Sequence, residues 1–242
     1  MRWYYVIQKK YMLATDLDGT FVGNETGLQE LLHHYEEAPY EVSLVYVTGR
    51  HFDSAKTLIH EEKLPKPDLL ITDVGTAIYH ENRQDITWHN KLMKTWHPED
   101  VLSIAEEFPE LHRQPLPDNK RVSFTVQNDD RAVMQFRRAL EQKAPDHTFI
   151  YSSHRDVDVL PAQAGKGSAL EYAIEHYAEP DVHLLIAGDS GNDMDMLSLG
   201  HPSVIVGNAQ RELISMNDHP NLYRAKNHCA GGIHEAWMHF YG

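Results

Sequence analysis

Short apolar runs recur along this chain without the polar alternation of a half-exposed sheet. Residues 11–17, 42–47, 69–72, 182–187 and 203–206 are near-continuously apolar, the pattern of strands buried on both faces. Helical spacing lies between or after them. Leu170, Ala173, Ile174 and Tyr177 fall at i, i+3, i+4 and i+7, which places four apolar groups on one helix face. Gly231 and Gly232 precede residues 233–240, which read as a closing helix. Strands alternating with helices predict an α/β fold with a parallel sheet. In such sheets, binding groups gather beyond the carboxyl ends of the strands.

The middle of the chain follows a different pattern. Val101, Ile104, Ala105 and Phe108, and then Val133, Phe136 and Leu140, have helical spacing. Val122, Phe124 and Val126, and later Val157 with Val159, alternate as in strands. Pro115, Pro117 and Asp118 mark a turn before the first of these strands. The expected organisation is an α/β core made of residues 1–79 and 160–242, with a small α+β module at 80–159 inserted into it. There is no internal repeat and no low-complexity tract.

Composition narrows the function. Thirty-six Asp and Glu against 22 Lys and Arg give a net charge of −14 over 242 residues, which repels a phosphate backbone and argues against nucleic acid. No apolar run approaches the roughly 18 residues of a membrane span. The apolar opening meets Gln8, Lys9 and Lys10 too soon for a secretory segment. A single cysteine, Cys229, cannot form an internal disulfide; the expected setting is a reducing one, the cytoplasm.

Four constellations carry the chemistry. Asp16-Leu17-Asp18-Gly19-Thr20 follows the first strand, where two carboxylates can converge on one hard cation or one reacting atom. Thr48-Gly49-Arg50 closes the second strand with a hydroxyl and free amides suited to a phosphoryl oxygen. Lys166, between Gly165 and Gly167 at a helix start, can neutralise an anion. Gly188-Asp189-Ser190-Gly191-Asn192-Asp193 ends the 182–187 strand with two more carboxylates. A calcium-loop reading of the first fails, because Phe21 and Gly27 stand where that loop needs Gly and Glu. Seventeen histidines are scattered rather than clustered. His33 and His34 are adjacent on a helix and point to different faces, and His234 and His239 have the wrong spacing for a zinc helix. Cys229 has no activating neighbour. Trp88 and Trp96 are read as core or hinge packing, with sugar stacking the alternative.

In their order and spacing, Asp16-x-Asp18-x-Thr20, Thr48-Gly49-Arg50, Lys166 and Gly188-Asp189-x3-Asp193 resemble the four motifs of the haloacid-dehalogenase-like phosphatases. The 80–159 insert matches the cap of the C2-capped members in position and size. Within that superfamily the chain is similar to the sucrose-phosphate phosphatases. That likeness is carried by Val74-Gly75-Thr76-Ala77-Ile78-Tyr79, Lys120-Arg121-Val122-Ser123-Phe124, Asp158-Val159-Leu160-Pro161, Val206-Gly207-Asn208-Ala209-Gln210 and His228-Cys229-Ala230-Gly231-Gly232-Ile233. Residues 1–10 have no counterpart in the pattern. The implied fold is a Rossmann-like three-layer core with an inserted C2-type cap.

The resemblance also implies a mechanism. Asp16 would be the nucleophile and form an aspartyl-phosphate; Asp18 would protonate the leaving sugar oxygen and then deprotonate water. The implied cofactor is Mg2+, held by Asp16, Asp189 and the backbone carbonyl of Asp18. Asp193 would hold a bound water or Lys166, or simply complement a helix dipole. Thr48, Gly49, Lys166 and Asn192 would grip the phosphoryl oxygens. Arg50, Asn208, Lys120, Arg121 and Ser123 are candidates for the rest of the substrate, with ordinary surface charge the alternative for those in the cap. The implied partner is a small-molecule sugar phosphate, sucrose 6-phosphate first. Another disaccharide or hexose phosphate (mannosylfructose-phosphate among them) and phosphomutase chemistry stay open. A receiver-like phospho-acceptor module and a non-catalytic sugar-phosphate binder also remain, but an acid two residues after the nucleophile argues against a long-lived phospho-switch. The oligomeric state is not legible, and a monomer is compatible with the pattern.

Overall fold

The computed structural model describes residues 7–127, 129–144 and 146–242. Its larger sheet is built on β1 (Tyr11–Thr15), β2 (Val42–Val47), β3 (Leu69–Thr72), β10 (His183–Gly188), β11 (Ser203–Ile205) and β12 (Leu222–Arg224), all parallel. Two antiparallel strands, β4 (Ala77–His80) and β5 (Arg83–Gln84), extend it beyond β3. The order across the sheet is β12-β11-β10-β1-β2-β3-β4-β5.

The continuous apolar runs are explained by burial on both faces. Met12, Ala14, Val45, Val47, Leu184 and Ile186 face a core completed by α6 (Lys166–Tyr177), through Ala169, Leu170 and Ala173. Their strand neighbours Leu13, Leu44, Tyr46, Leu185 and Ala187 point the other way. There they meet Leu31 of α1 (Glu25–Glu37), Ala55 of α2 (Phe52–Glu61), and Ile233 and Trp237 of α9 (Ala230–Tyr241). Helix, sheet and helix thus form three layers around two cores.

The middle of the chain forms a separate four-stranded antiparallel sheet: β6 (His112–Arg113), β7 (Val122–Thr125), β9 (Asp156–Pro161) and β8 (His147–Ser152), in that order. Against it pack α4 (Pro98–Ala105) and α5 (Asp130–Lys143), with Val133, Phe136 and Leu140 closing a third core. The predicted helix through Phe108 stops at Ala105, and Phe108 instead meets the Phe136 ring edge-on at 5.4 Å. α3 (Ile86–Met93) joins the two sheets and is N-capped by Asp85, which accepts from the Thr87 and Trp88 amides. Trp88 is buried and donates to Gly75 O at 3.0 Å, and Trp96 donates to Asn119 O at 2.7 Å, so both tryptophans pack within the structure. Of the amino-terminal segment, residues 1–6 lie outside the described residues. Ile7 is buried and exchanges backbone hydrogen bonds with Tyr177 and Glu179. Among the described residues no helix is long and apolar enough to cross a membrane. α7 (Met194–Leu197) and α8 (Arg211–Ile214) are short turns beside the ends of β10 and β11.

Candidate active site

The four sequence motifs meet beyond the carboxyl ends of the interior strands β1, β2 and β10. β1 runs into Asp16, whose amide donates to Ala187 O on β10 at 3.1 Å. Gly19 then turns the chain at φ +80°; a Cβ there would lie 2.8 Å from Asp189 Oδ2, so only glycine lets the first loop pass this close to the last. β2 ends at Thr48, buried, with its amide on Ile71 O at 2.9 Å and its hydroxyl accepting from Arg50 N at 3.1 Å. Lys166 opens α6. β10 ends at Gly188, where a Cβ would fall 2.5 Å from that of Asp193.

Lys166 joins these loops. It is fully buried, and its Nζ lies 2.6 Å from Asp16 Oδ1 and 2.6 Å from Asp193 Oδ1. The other Asp193 oxygen accepts from the Asp189 and Ser190 amides at 3.0 Å each, which fixes the turn that carries it. Asp189 Oδ1 accepts from the Thr20 hydroxyl at 2.7 Å. Asp16, Asp189 and Asp193 each present a carboxylate oxygen within 4.8 Å of the others.

Three carboxylates therefore face one ammonium, and their ionisation reflects it. Burial raises Asp16 well above its ordinary value, and the Asp193 and Asp189 charges add to this while Lys166 opposes it. Burial, with the Asp193 charge behind it, pushes Asp189 up to about 7. Burial works against the Lys166 charge, but Asp16 and Asp193 more than offset it, so the ammonium is held. An all-oxygen donor set short of positive charge has the chemistry of a hard divalent cation site, so the residues present fit Mg2+.

The remaining expected residues are distributed as follows. Asp18 turns its carboxylate onto Arg50, which donates from Nε at 2.6 Å and Nη2 at 2.7 Å and holds Ser54 Oγ with its third nitrogen at 3.0 Å. The Asp18 carboxylate is thus not one of the three acidic groups that converge. Asn192 accepts from Ser190 Oγ at 3.3 Å, and its Nδ2 would lie 3.7 Å from a Cβ built on Gly49, so the second and fourth motif loops are neighbours. Asn208 donates to Gly19 O and accepts from Cys229 N, both at 2.7 Å; both ends of its amide are engaged between core loops. Lys120 pairs with Asp118 and acts electrostatically on Tyr79 and Asp73. Arg121 and Ser123 share Asp158, and Arg121 also donates to Gly49 O at 2.7 Å. Burial pushes the Cys229 thiol up, with Asp189 adding to it, which suits an unreactive side chain. His33 pairs outward with Glu37, whereas His34 packs against His234 at 5.2 Å.

Sequence reasoning left Thr20 without a role and passed over Asp195, whose Oδ2 accepts from Gly167 N at 2.8 Å. That bond seats the first turn of α6 and so the backbone of Lys166. The available signal was Asp195 standing two residues beyond Asp193.

A sequence profile of the sucrose-6F-phosphate phosphohydrolase family matches residues 9–241. The sucrose-phosphatase of Synechocystis sp. PCC6803, solved in complex with sucrose and phosphate, superposes with a TM-score of 0.88 at 32% identity, covering 99% of this chain and 98% of that one. The glucosylglycerol-phosphate synthase of Pseudomonas anguilliseptica is 34% identical over 95% of this chain, and the probable sucrose-phosphatase 2 of Arabidopsis thaliana is 34% identical over 96%. The chain spans 30% of the length of the first and 60% of the second.

Proposed function

Because this chain belongs to the sucrose-6F-phosphate phosphohydrolase family, we propose that it is a Mg2+-dependent phosphatase that converts sucrose 6-phosphate to sucrose and phosphate. The observation that carries the reading is the buried Lys166 ammonium 2.6 Å from one oxygen of Asp16, which orients a carboxylate nucleophile and offers a fixed positive charge beside it.

With Lys166 on Oδ1, Asp16 Oδ2 attacks phosphorus. An O–P bond to Asp16 forms as the P–O bond to the sugar breaks, and Asp18 gives its proton to the departing oxygen. Asp18 must part from Arg50 to do so, which couples acid delivery to the arrival of substrate. Water then attacks the aspartyl-phosphate, Asp18 takes its proton, and phosphate leaves Asp16 free. Thr48, the Gly49 amide, Asn192 and Lys166 hold the phosphoryl oxygens through both steps. Asp16, Asp189 and the Asp18 carbonyl would hold Mg2+, with Asp193 behind them; when bound it supplies positive charge against the transferring phosphoryl group.

Residues 80–159 serve as the cap and the two flanking segments as the core, so that the sugar is read by the four-stranded sheet. The lone buried Cys229 suits a reducing, cytoplasmic setting. The relatives differ in the sugar phosphate their names carry, so a second disaccharide-type phosphate is the competing substrate.

A phosphate-release panel with Mg2+ or EDTA tests this, comparing sucrose 6-phosphate, mannosylfructose-phosphate, glucosylglycerol-phosphate and glucose 6-phosphate. Release that depends on Mg2+ and favours sucrose 6-phosphate is expected. Equal release in EDTA removes the metal, and a preference for another sugar replaces the substrate. Full turnover by Asp16→Asn removes the nucleophile.

A further inference from the structure

The four-stranded sheet touches the core at two points where a side chain binds the backbone of a motif loop. The first is Glu212 in α8. One of its oxygens, Oε1, accepts from Ser153 N at 2.7 Å and from Gly191 N at 3.2 Å. Ser153 sits in the turn between β8 and β9 at φ +55°, and Gly191 sits in the loop that carries Asp189, Asn192 and Asp193. A Cβ on Gly191 would lie 3.1 Å from Glu212 Cγ and 3.3 Å from the Ser152 Cβ, so the three segments pack closely here. The second point is Arg121 at the start of β7. It is buried, braced by Asp158 and Ser123 on its own sheet, and donates to Gly49 O at 2.7 Å. Its Nε has no hydrogen-bond partner and lies 3.6 Å from Asp73 Oδ1 of the core.

We propose that Glu212 is a positioning residue that, with Arg121 opposite, clasps the four-stranded sheet over the Thr48–Arg50 and Gly188–Asp193 loops and so couples recognition of the sugar to the geometry of the phosphoryl site. The inference rests on the phosphatase reading for what the site does, and on the hydrogen bonds alone for the clasp. A carboxylate accepting two N–H groups from different sheets makes charge-assisted bonds, roughly twice as strong as neutral ones. Opening the sheet breaks the bond from Ser153 N. The shared oxygen also transmits position. Gly191 is two residues from Asp193, and Asp193 holds Lys166 at 2.6 Å, so a displaced β8–β9 turn is felt at the ammonium that orients Asp16. Arg121 does the equivalent on the other side by fixing the carbonyl between Thr48 and Arg50. A bulky sugar phosphate engages both lobes and needs the clasp; a small aryl phosphate that reaches only the core does not.

The test uses the full chain with Mg2+ and the variants Glu212→Ala and Glu212→Gln. Steady-state kinetics are run on sucrose 6-phosphate and on p-nitrophenyl phosphate, with hydrogen exchange of the segments containing Ser153 and Gly191 in parallel. Glu212→Ala is expected to raise KM for sucrose 6-phosphate about tenfold, the worth of one charge-assisted hydrogen bond. Its kcat/KM on p-nitrophenyl phosphate should fall less than its kcat/KM on sucrose 6-phosphate. Exchange should rise together in both segments, and Glu212→Gln should recover part of each effect by keeping an acceptor oxygen. Faster exchange confined to the Gly191 segment, with both substrates losing kcat alike, would show a local brace and overturn the clasp. Unchanged exchange in both segments overturns it as well. If the unmodified chain releases phosphate from neither compound, the phosphatase reading falls, and the exchange measurement still decides whether Glu212 joins the two lobes.

Discussion

Replacing Lys166 with methionine keeps most of the side-chain volume and removes the charge. In the native site this ammonium sits 2.6 Å from both Asp16 and Asp193 in full burial. Removing one partner of a buried ion pair costs about 3–5 kcal/mol, because the other charge is left uncompensated. For a chain of this length each kcal/mol moves the melting temperature by about 2–4 °C, so Lys166→Met should melt roughly 6–20 °C lower. The deficit has a definite pH dependence. Asp16 already has its pKa raised above the ordinary value of 3.8, and loss of Lys166 raises it further. A carboxyl with a raised folded pKa binds more protons in the folded state than in the unfolded one, so stability falls as pH rises above the unfolded value. The melting deficit should therefore be smaller at pH 5 than at pH 8. Thermal unfolding followed by circular dichroism at both pH values checks this, with phosphate release expected to drop by about 10²–10³-fold. Adding Asp193→Asn removes one of the stranded carboxylates, and the double variant should be more stable than the sum of the single effects predicts. A variant that melts within a degree or two of the native chain, with the two substitutions simply additive, would refute the claim that Lys166 holds the site together electrostatically.

Three further outcomes follow from individual contacts. Arg50→Lys loses the two-pronged grip on Asp18, and a point charge cannot replace a planar fork; because Asp18 must leave Arg50 to act as the acid, kcat should hold or rise with little change in melting temperature, and a fall of about tenfold would show that the pair serves the reaction instead of withholding Asp18 from it. Gly75→Ala places a Cβ 2.0 Å from Gly165 O and 2.8 Å from Lys166 N at φ +90°, a clash with backbone that cannot yield; a loss of about 3 kcal/mol or more, read in urea unfolding, is expected. Burial tends to raise the Glu235 pKa, but hydrogen bonds from Asn227 N, the Tyr223 hydroxyl and Lys226 N hold it below the ordinary 4.5. Its contribution is present above that value and lost as pH falls through the lower folded pKa. Glu235→Gln should thus cost no more than about 1 kcal/mol at pH 7, and the difference should shrink in unfolding measured progressively below pH 4.5.

The parts of the molecule that were legible in the sequence are those whose signal is local. The parallel strands could be read because β1, β2, β3 and β10 are buried on both faces, which forces continuous apolar runs. β8, by contrast, is only half-buried along most of its length, with neither a run nor an alternation to mark it. α1 is expected as a helix around His33 and His34, but its extent is not legible, because of its thirteen residues only Gly27 and Leu31 are buried. β4 and β5 add an antiparallel edge that continuous burial does not require.

The same division runs through the site. Asp16, Lys166, Asp189 and Asp193 could be named because each sits where a strand ends or a helix begins, in a motif a few residues long. Thr20, Asn208 and Arg121 also stand in the motifs, but the pairings they make are not legible, because they span the chain: Thr20 with Asp189 at a separation of 169 residues, Asn208 with Gly19 at 189, Arg121 with Gly49 at 72. The groups proposed to carry phosphoryl transfer are therefore encoded locally, whereas those that set loop against loop and sheet against core depend on the whole fold. A net charge of −14 illustrates the difference. It is a property of the composition, yet the phosphate would meet one buried ammonium fixed between two carboxylates, together with backbone amides and a hydroxyl held in place by distant residues.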